Sequence, residues 1–330
     1  MFPASLVIPP YVPPRWLRSG HGQTVLVPYF AVEPGSRGDA VSIPIEGGML
    51  RGRLHASSPR SGECVLVIHG IAGTASEPFV IRTAHEAMLR GVDALRLDLR
   101  GTGESHSPGV AGLWHAGLTA DVRAAVAWLA ERYERVHLVG FSLGGQLVLR
   151  TAGEWGRDRP AQLASVTAIS PPVDLAASAR FSEGPLARFY ILYFLRTLRT
   201  RYAAARALMG PHFEPGILRG VTTIRAYDAA VIAPFFGYRD VDDYYARASS
   251  LAVLDDIDVP TLIVHSHDDP VVPSAPLVDY AKRASANVRV VLTEHGGHVA
   301  FLGARPAAGD RTRFWAEHRA IDLVTAASAL

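Results

Sequence analysis

The sequence predicts an α/β protein: a mostly parallel sheet with helices on both faces, interrupted by a mainly helical insertion. Short runs of consecutive apolar residues, such as Cys64-Val65-Leu66-Val67-Ile68 and Leu138-Val139-Gly140-Phe141, read as strands buried on both faces. They alternate with longer helical stretches, and such alternation implies parallel strands joined by crossover helices. The alternation stops over residues 171–259 and then resumes, which predicts an insertion into one domain. In sheets of this kind ligands bind at the carboxyl ends of the strands, so the insertion is expected to cap a site there.

Composition narrows the function classes. The 330 residues are 48% hydrophobic and 19% charged, enough for one large globular domain with an insertion. The formal net charge is +2 and the arginines are scattered, whereas nucleic-acid binding calls for clustered basic residues; no nucleic-acid partner is expected. The one cysteine, Cys64, excludes an intramolecular disulfide and disfavours a thiolate zinc site. The N-terminal stretch lacks an early charge and carries several prolines, unlike a secretory signal. No apolar run approaches the length of a bilayer span. A cytoplasmic protein is expected, with its oligomeric state left open.

The elements follow in order. Residues 1–40 read as a Pro-rich, irregular strap. Residues 41–45 and 50–55, separated by Glu46-Gly47-Gly48, read as a hairpin. A buried strand at 64–69 leads to a helix at 77–90 closed by Gly91. A strand at 94–99 and a helix at 119–133, with Thr119 as its N-cap, come next. Strand 136–141 runs into helix 143–155, and strand 166–170 is stopped by Pro171-Pro172. After the insertion come strand 261–266, a helix within 271–284, strand 288–293 and a final helix over 312–325. The core is therefore 41–170 plus 260–330, and the cap is 171–259.

Gly140-Phe141-Ser142-Leu143-Gly144 matches G-x-S-x-G at the end of a buried strand and the start of a helix. That context defines the sharp turn of the α/β-hydrolase fold, which presents a nucleophilic serine. The turn also puts Ser142 at the positive end of a helix, which favours developing negative charge. A serine needs a base, and the base an orienting acid, in the chain order Ser, Asp or Glu, His. Thr293-Glu294-His295-Gly296-Gly297-His298 supplies the base; His298, placed beyond two glycines, is preferred to His295. Asp268 and Asp269, just past strand 261–266, supply the acid. His265 and His267 alternate along that strand and would point the same way, but a third metal ligand is missing, so no metal is expected. His69-Gly70-Ile71-Ala72-Gly73 follows the first buried strand. By position, the backbone N–H groups of Ile71 and Leu143 would form an oxyanion hole, with His69 shaping the loop.

The chain resembles the YheT-like α/β hydrolases, bacterial relatives of eukaryotic abhydrolase-domain esterases and phospholipases. The resemblance spans nearly the whole chain. It is carried by Gly20-His21-Gly22-Gln23-Thr24, Leu99-Arg100-Gly101, Trp114-His115-Ala116-Gly117, Tyr227-Asp228, Gly237-Tyr238, Asp243-Tyr244-Tyr245 and the segment from Thr293 to Phe301. It implies carboxylic-ester hydrolysis with Ser142, Asp269 and His298 at the catalytic positions. Asp269 is chosen over Asp268 because it directly precedes Pro270, as the orienting acid does in that fold. No cofactor is implied. The eukaryotic relatives' N-terminal anchor is not matched, so membrane residence does not transfer.

Within the cap, residues 186–198 are rich in aromatic and aliphatic side chains, surrounded by Arg180, Arg188, Arg196, Arg199, Arg201 and Arg206. They read first as a packed helix, and alternatively as an acyl-chain wall or a weak membrane-surface contact. A serine esterase acting on short- to medium-chain or lipid-like esters is the expectation. The rivals are an acyltransferase on the same residues and a non-catalytic binding protein of the same fold.

Overall fold

The computed structural model describes residues 1–30, 37–59, 61–105, 113–209, 214 and 216–329. Among them, β1 (Asp39–Ile45), β2 (Gly48–His55), β3 (Glu63–Ile68), β4 (Asp93–Asp98), β5 (Arg135–Phe141), β6 (Leu163–Ile169), β7 (Thr261–Ser266) and β8 (Val288–Thr293) form one sheet. Its order is β1-β2-β4-β3-β5-β6-β7-β8. β1 and β2 form the expected hairpin and β2 runs antiparallel to β4; every pair from β4 to β8 is parallel. The helices are α1 (Gly20–Leu26), α2 (Pro78–Leu89), α3 (Thr119–Ala130), α4 (Leu143–Trp155), α5 (Leu175–Ser182), α6 (Arg188–Met209), α7 (Ile224–Tyr227), α8 (Ala233–Phe235), α9 (Val241–Ala248), α10 (Ala275–Ala281) and α11 (Trp315–Ser328).

Strand alternation splits the core into two layers. Leu66, Leu95, Leu97 and Leu138 face Val122 and Val126 of α3 and Leu147 of α4. Val65, Val67, Val139 and Val264 face Val80 of α2 and Ile321 and Val324 of α11 on the other side. Burying each such side chain contributes about 1.5–3 kcal/mol, so the doubly covered central strands are the rigid platform whose ends carry the site.

Between β6 and β7 the chain forms α5 to α9, with a π-helical turn at Asp228–Ile232 joining α7 to α8. These elements make a third apolar cluster of their own, which also takes in Leu113 and Ala116 from the loop after β4. Helix α6 is two-faced: Ile191 and Leu195 are buried, whereas Phe189, Leu192 and Tyr193 are exposed.

The structure moves several expected boundaries. Thr119 does not cap α3, since Leu118 occupies that position and the Thr119 hydroxyl donates to Glu154 instead, at 2.7 Å. The last helix starts at Trp315 rather than residue 312 and runs on to Ser328. Strand β6 begins earlier, at Leu163, and ends before Ser170, whose φ of 51° takes it out of the strand. The strap is not wholly irregular: it contains α1. Strap residues 31–36 and insertion residues 210–213 and 215 lie outside the described residues.

Candidate functional site

Four strands end at the site. After β5 the chain turns sharply at Ser142, with φ 54° and ψ −122°, and enters α4 at Leu143. Positive φ is strained for a side chain other than glycine and persists only where surroundings enforce it. Here Ser142 N–H donates to Ile169 O at 2.8 Å, which fixes the turn to β6. Gly144 lets the turn pack: a Cβ there would overlap the carbonyl of His69 and lie 2.7 Å from that of Ile68. Non-glycine positive φ recurs at Ser170, Val299 and Phe301. Ser170 Oγ accepts from Val299 N–H at 3.1 Å, so two of these strained residues brace each other beside the site.

His298 stands on the loop after β8. Its Nε2 is 2.8 Å from Ser142 Oγ and its Nδ1 is 2.8 Å from Asp269 Oδ2. Asp269 is 4% exposed, and its Oδ1 accepts from Val271 N–H at 2.8 Å and Val272 N–H at 2.9 Å. Burial by itself would raise this carboxyl, but the charge and hydrogen bond of His298, with help from His265 and Val272 N–H, hold it below the ordinary value. The loop carrying His298 is tied to the strap. Its N–H donates to Thr24 Oγ1 at 2.8 Å, and Thr24 donates to Gly20 O at 2.7 Å. Gly297 has φ 62°, and a Cβ there would overlap the Gly20 carbonyl, which is how strap and loop come so close.

The competing side chains lie elsewhere. Asp268 accepts from Gly297 N–H at 3.0 Å and faces His295 Nδ1 at 3.3 Å, and His295 Nε2 is 3.2 Å from Arg18. His265 and His267 do not point the same way, because β7 ends at Ser266. His265 is buried with Nε2 3.2 Å from Val272 O, and His267 is exposed beside Ser274 Oγ at 3.3 Å. Among the described residues no three His, Cys, Asp or Glu side chains cluster to hold a metal ion. His69 is fully buried with Nδ1 2.8 Å from Gly70 O, and burial lowers its pKa to about 4.

The loop after β3 closes a turn, with Gly73 N–H donating to Gly70 O at 3.1 Å. Arg201 of α6 reaches this turn and donates to Ile71 O at 2.6 Å and Gly73 O at 3.0 Å. Ile71 and Leu143 both border the cavity that contains Ser142. This cavity, about 120 Å³, extends under the insertion among Leu113, Leu175, Ile191 and Phe194. A second groove of about 370 Å³ reaches Ser142 and His298 between Thr24, Tyr29, Phe189 and Tyr193. Ile71, Ser142, Phe194 and Val271 border both.

Sequence reasoning placed Ser142, Asp269, His298, Ile71 and Leu143 together, and the structure brings them to one place. It gave no part to Thr24, Ser170, Arg201, Tyr227 or Asp228. Thr24 and Tyr227-Asp228 sat inside segments noted only for resemblance, and Arg201 was one arginine among several around an apolar helix. A hydroxyl bonded to an imidazole that is in turn bonded to a buried carboxylate is an arrangement suited to nucleophilic displacement.

Residues 63–304 match the family model described as alpha/beta hydrolase fold, and the chain belongs to this family of hydrolases. It is 30% identical to YheT of Escherichia coli (strain K12) over 79% of this chain and 76% of that one. It is 26% identical to Phospholipase ABHD3 of Mus musculus over 88% of this chain and 73% of that one. Among solved structures, 2,6-dihydroxy-pseudo-oxynicotine hydrolase superposes with a TM-score of 0.59 at 18% identity, covering 92% of this chain and 71% of that one; this likeness concerns the fold. Among the described residues no helix is long and apolar enough to cross a membrane.

Proposed function

We propose that the protein is a serine carboxylic-ester hydrolase working through an acyl-enzyme. The hydrogen-bond chain from Asp269 through His298 to Ser142, with both links at 2.8 Å, carries this reading. Ser142 Oγ attacks the ester carbonyl carbon as its proton passes to His298 Nε2. Asp269 holds the imidazole in the required tautomer and stabilises its protonated form. The N–H groups of Ile71 and Leu143 take the charge that develops on the carbonyl oxygen. The carbon–oxygen bond to the alcohol then breaks, and the alcohol leaves with the proton from His298. Water, deprotonated by the same nitrogen, cleaves the acyl-enzyme and restores Ser142.

The apolar lining of both cavities supports acyl and alcohol groups of modest size. A cavity of about 150 Å³ accepts benzene, so the one of about 120 Å³ suits a short chain, and the groove of about 370 Å³ that also reaches Ser142 gives room for a longer one. The names of the esterase and phospholipase relatives agree with ester substrates. Tyr29, Phe189 and Tyr193 are 86%, 69% and 60% exposed along the second groove. They support entry of lipid-like esters through a weak contact with a lipid surface. A p-nitrophenyl ester series from acetate to dodecanoate tests this: kcat/KM should peak at butyrate to octanoate and vanish in Ser142→Ala. Turnover of acetate alone, or turnover that survives in Ser142→Ala, contradicts it.

A further inference from the structure

The cavity under the insertion is apolar near Ser142 but not throughout. Tyr227, Asp228 and Arg201 also line it. Tyr227 is 1% exposed and its Oη has no hydrogen-bond partner among the described residues. Asp228, in the π-helical turn, is buried with Tyr245 Oη donating to its Oδ2 at 2.8 Å. Arg201 has two of its donors on the carbonyls of Ile71 and Gly73, and no carboxylate lies within ion-pair distance of it among the described residues. The esterase reading uses none of the Tyr227, Asp228 and Tyr245 side chains. A buried donor without an acceptor is costly to keep, and π-helical turns occur frequently at functional sites.

We propose that Tyr227 and Asp228 form a hydroxyl-recognition subsite, taking a substrate whose cavity-bound part carries an alcohol group. The inference rests on the esterase reading and narrows its substrate class. A hydroxyl matches the lining in both senses: its oxygen accepts from Tyr227 Oη–H, and its own hydrogen is offered to the Asp228 carboxyl. Burial raises that carboxyl to about 7, so near neutrality it exists in both protonation states. An anionic group would meet the Asp228 carboxylate, and a cationic group would meet Arg201. A purely apolar chain would leave Tyr227 Oη as it is now, without a hydrogen-bond partner among the described residues. A neutral group that both donates and accepts satisfies the set.

The hydroxyl can sit on the acyl part or on the alcohol part of the ester, and two substrate pairs separate these. One pair is p-nitrophenyl hexanoate and p-nitrophenyl 6-hydroxyhexanoate. The other is ethyl hexanoate and 2-hydroxyethyl hexanoate, followed by acid release. In one pair the unaltered protein should favour the hydroxylated ester at least about tenfold in kcat/KM, because a site built to bond a hydroxyl rejects the analogue without it. Tyr227→Phe should bring that ratio to about 1, and Asp228→Asn should lower it, each read as a ratio within one variant so that a loss of folding cancels. Turnover of all four esters with ratios near 1 in the unaltered protein, or ratios unmoved by both variants, overturns the subsite alone. Absence of turnover of any ester overturns the esterase reading and the subsite with it.

Discussion

Arg201 of α6 donates to the carbonyl of Ile71 at 2.6 Å, so the insertion grips the loop that carries one proposed oxyanion donor. The same guanidinium holds Gly73 O at 3.0 Å, and burial lowers its pKa from the ordinary value. Hydrogen bonds from a charged group are each worth about 1.5–3 kcal/mol. If they hold the loop in its working shape, Arg201→Ala lowers kcat by roughly ten- to a hundredfold. Arg201→Lys, which keeps the charge but not the fork, recovers part of the loss. Steady-state kinetics on one good ester checks this. A change in KM alone would mean that Arg201 contacts substrate without positioning the loop.

The two adjacent aspartates should separate cleanly. Asp269 bonds His298, whereas Asp268 bonds Gly297 N–H and faces His295. Asp269→Asn leaves the shape but favours the wrong imidazole tautomer, and kcat should fall roughly a thousandfold or more. Asp268→Asn keeps an acceptor for Gly297 and should leave kcat within about threefold, with some loss of thermal stability as its 3.3 Å contact with His295 Nδ1 weakens. Equal losses in the two variants would reverse or blur the assignment.

Thr24 should matter through its bond to the His298 backbone. Thr24→Val removes the acceptor for His298 N–H and the donor to Gly20 O. An orphaned N–H of this kind costs about 1–3 kcal/mol, so Tm should fall by a few degrees. The loosened imidazole should lower kcat more than it changes KM. Thr24→Ser, which keeps the hydroxyl, should restore both. A Tm and kcat unchanged in Thr24→Val would show that the strap does not brace His298.

Asp228 gives a stability prediction with a definite sign. Burial raises its carboxyl from 3.8 to about 7, against the lowering effect of the Tyr245 hydrogen bond. Between those values the folded chain holds a proton that the unfolded chain releases. The stability this group contributes is therefore fully present below pH 3.8 and is lost as pH rises through about 7. Asp228→Asn should remove this decline, so the Tm of the variant relative to the parent rises between about pH 4.5 and pH 8. Parallel Tm curves for the two proteins would mean that Asp228 titrates as it does in the unfolded chain.

The parallel strands were readable in the sequence because burial on both faces leaves unbroken apolar runs such as residues 64–68 and 262–264. Ser142 and the aspartate pair were readable because each sits just beyond the end of such a run, and His298 because it follows two glycines in the loop after β8. What could not be read was assembled across long separations. Helix α1 contains two glycines and lacks a side-chain N-cap bond, so it carries no local helix signal; it forms against Asp268 and Gly297. Thr119 looked like a cap by residue type, but its hydroxyl found Glu154, 35 residues away. Arg201 meets residues about 130 positions earlier in the chain, and nothing in the spacing of arginines distinguishes it from Arg196 or Arg206. The π-helical turn at Asp228 has no periodic signature at all.

The central claim, that Ser142 is an activated nucleophile, is tested most directly by incubating the purified protein with a fluorophosphonate probe and locating the adduct by mass spectrometry. Stoichiometric labelling on Ser142, lost in Ser142→Ala and strongly slowed in His298→Ala, is the predicted result. A folded protein that takes no label, or takes it on another residue, would contradict the account.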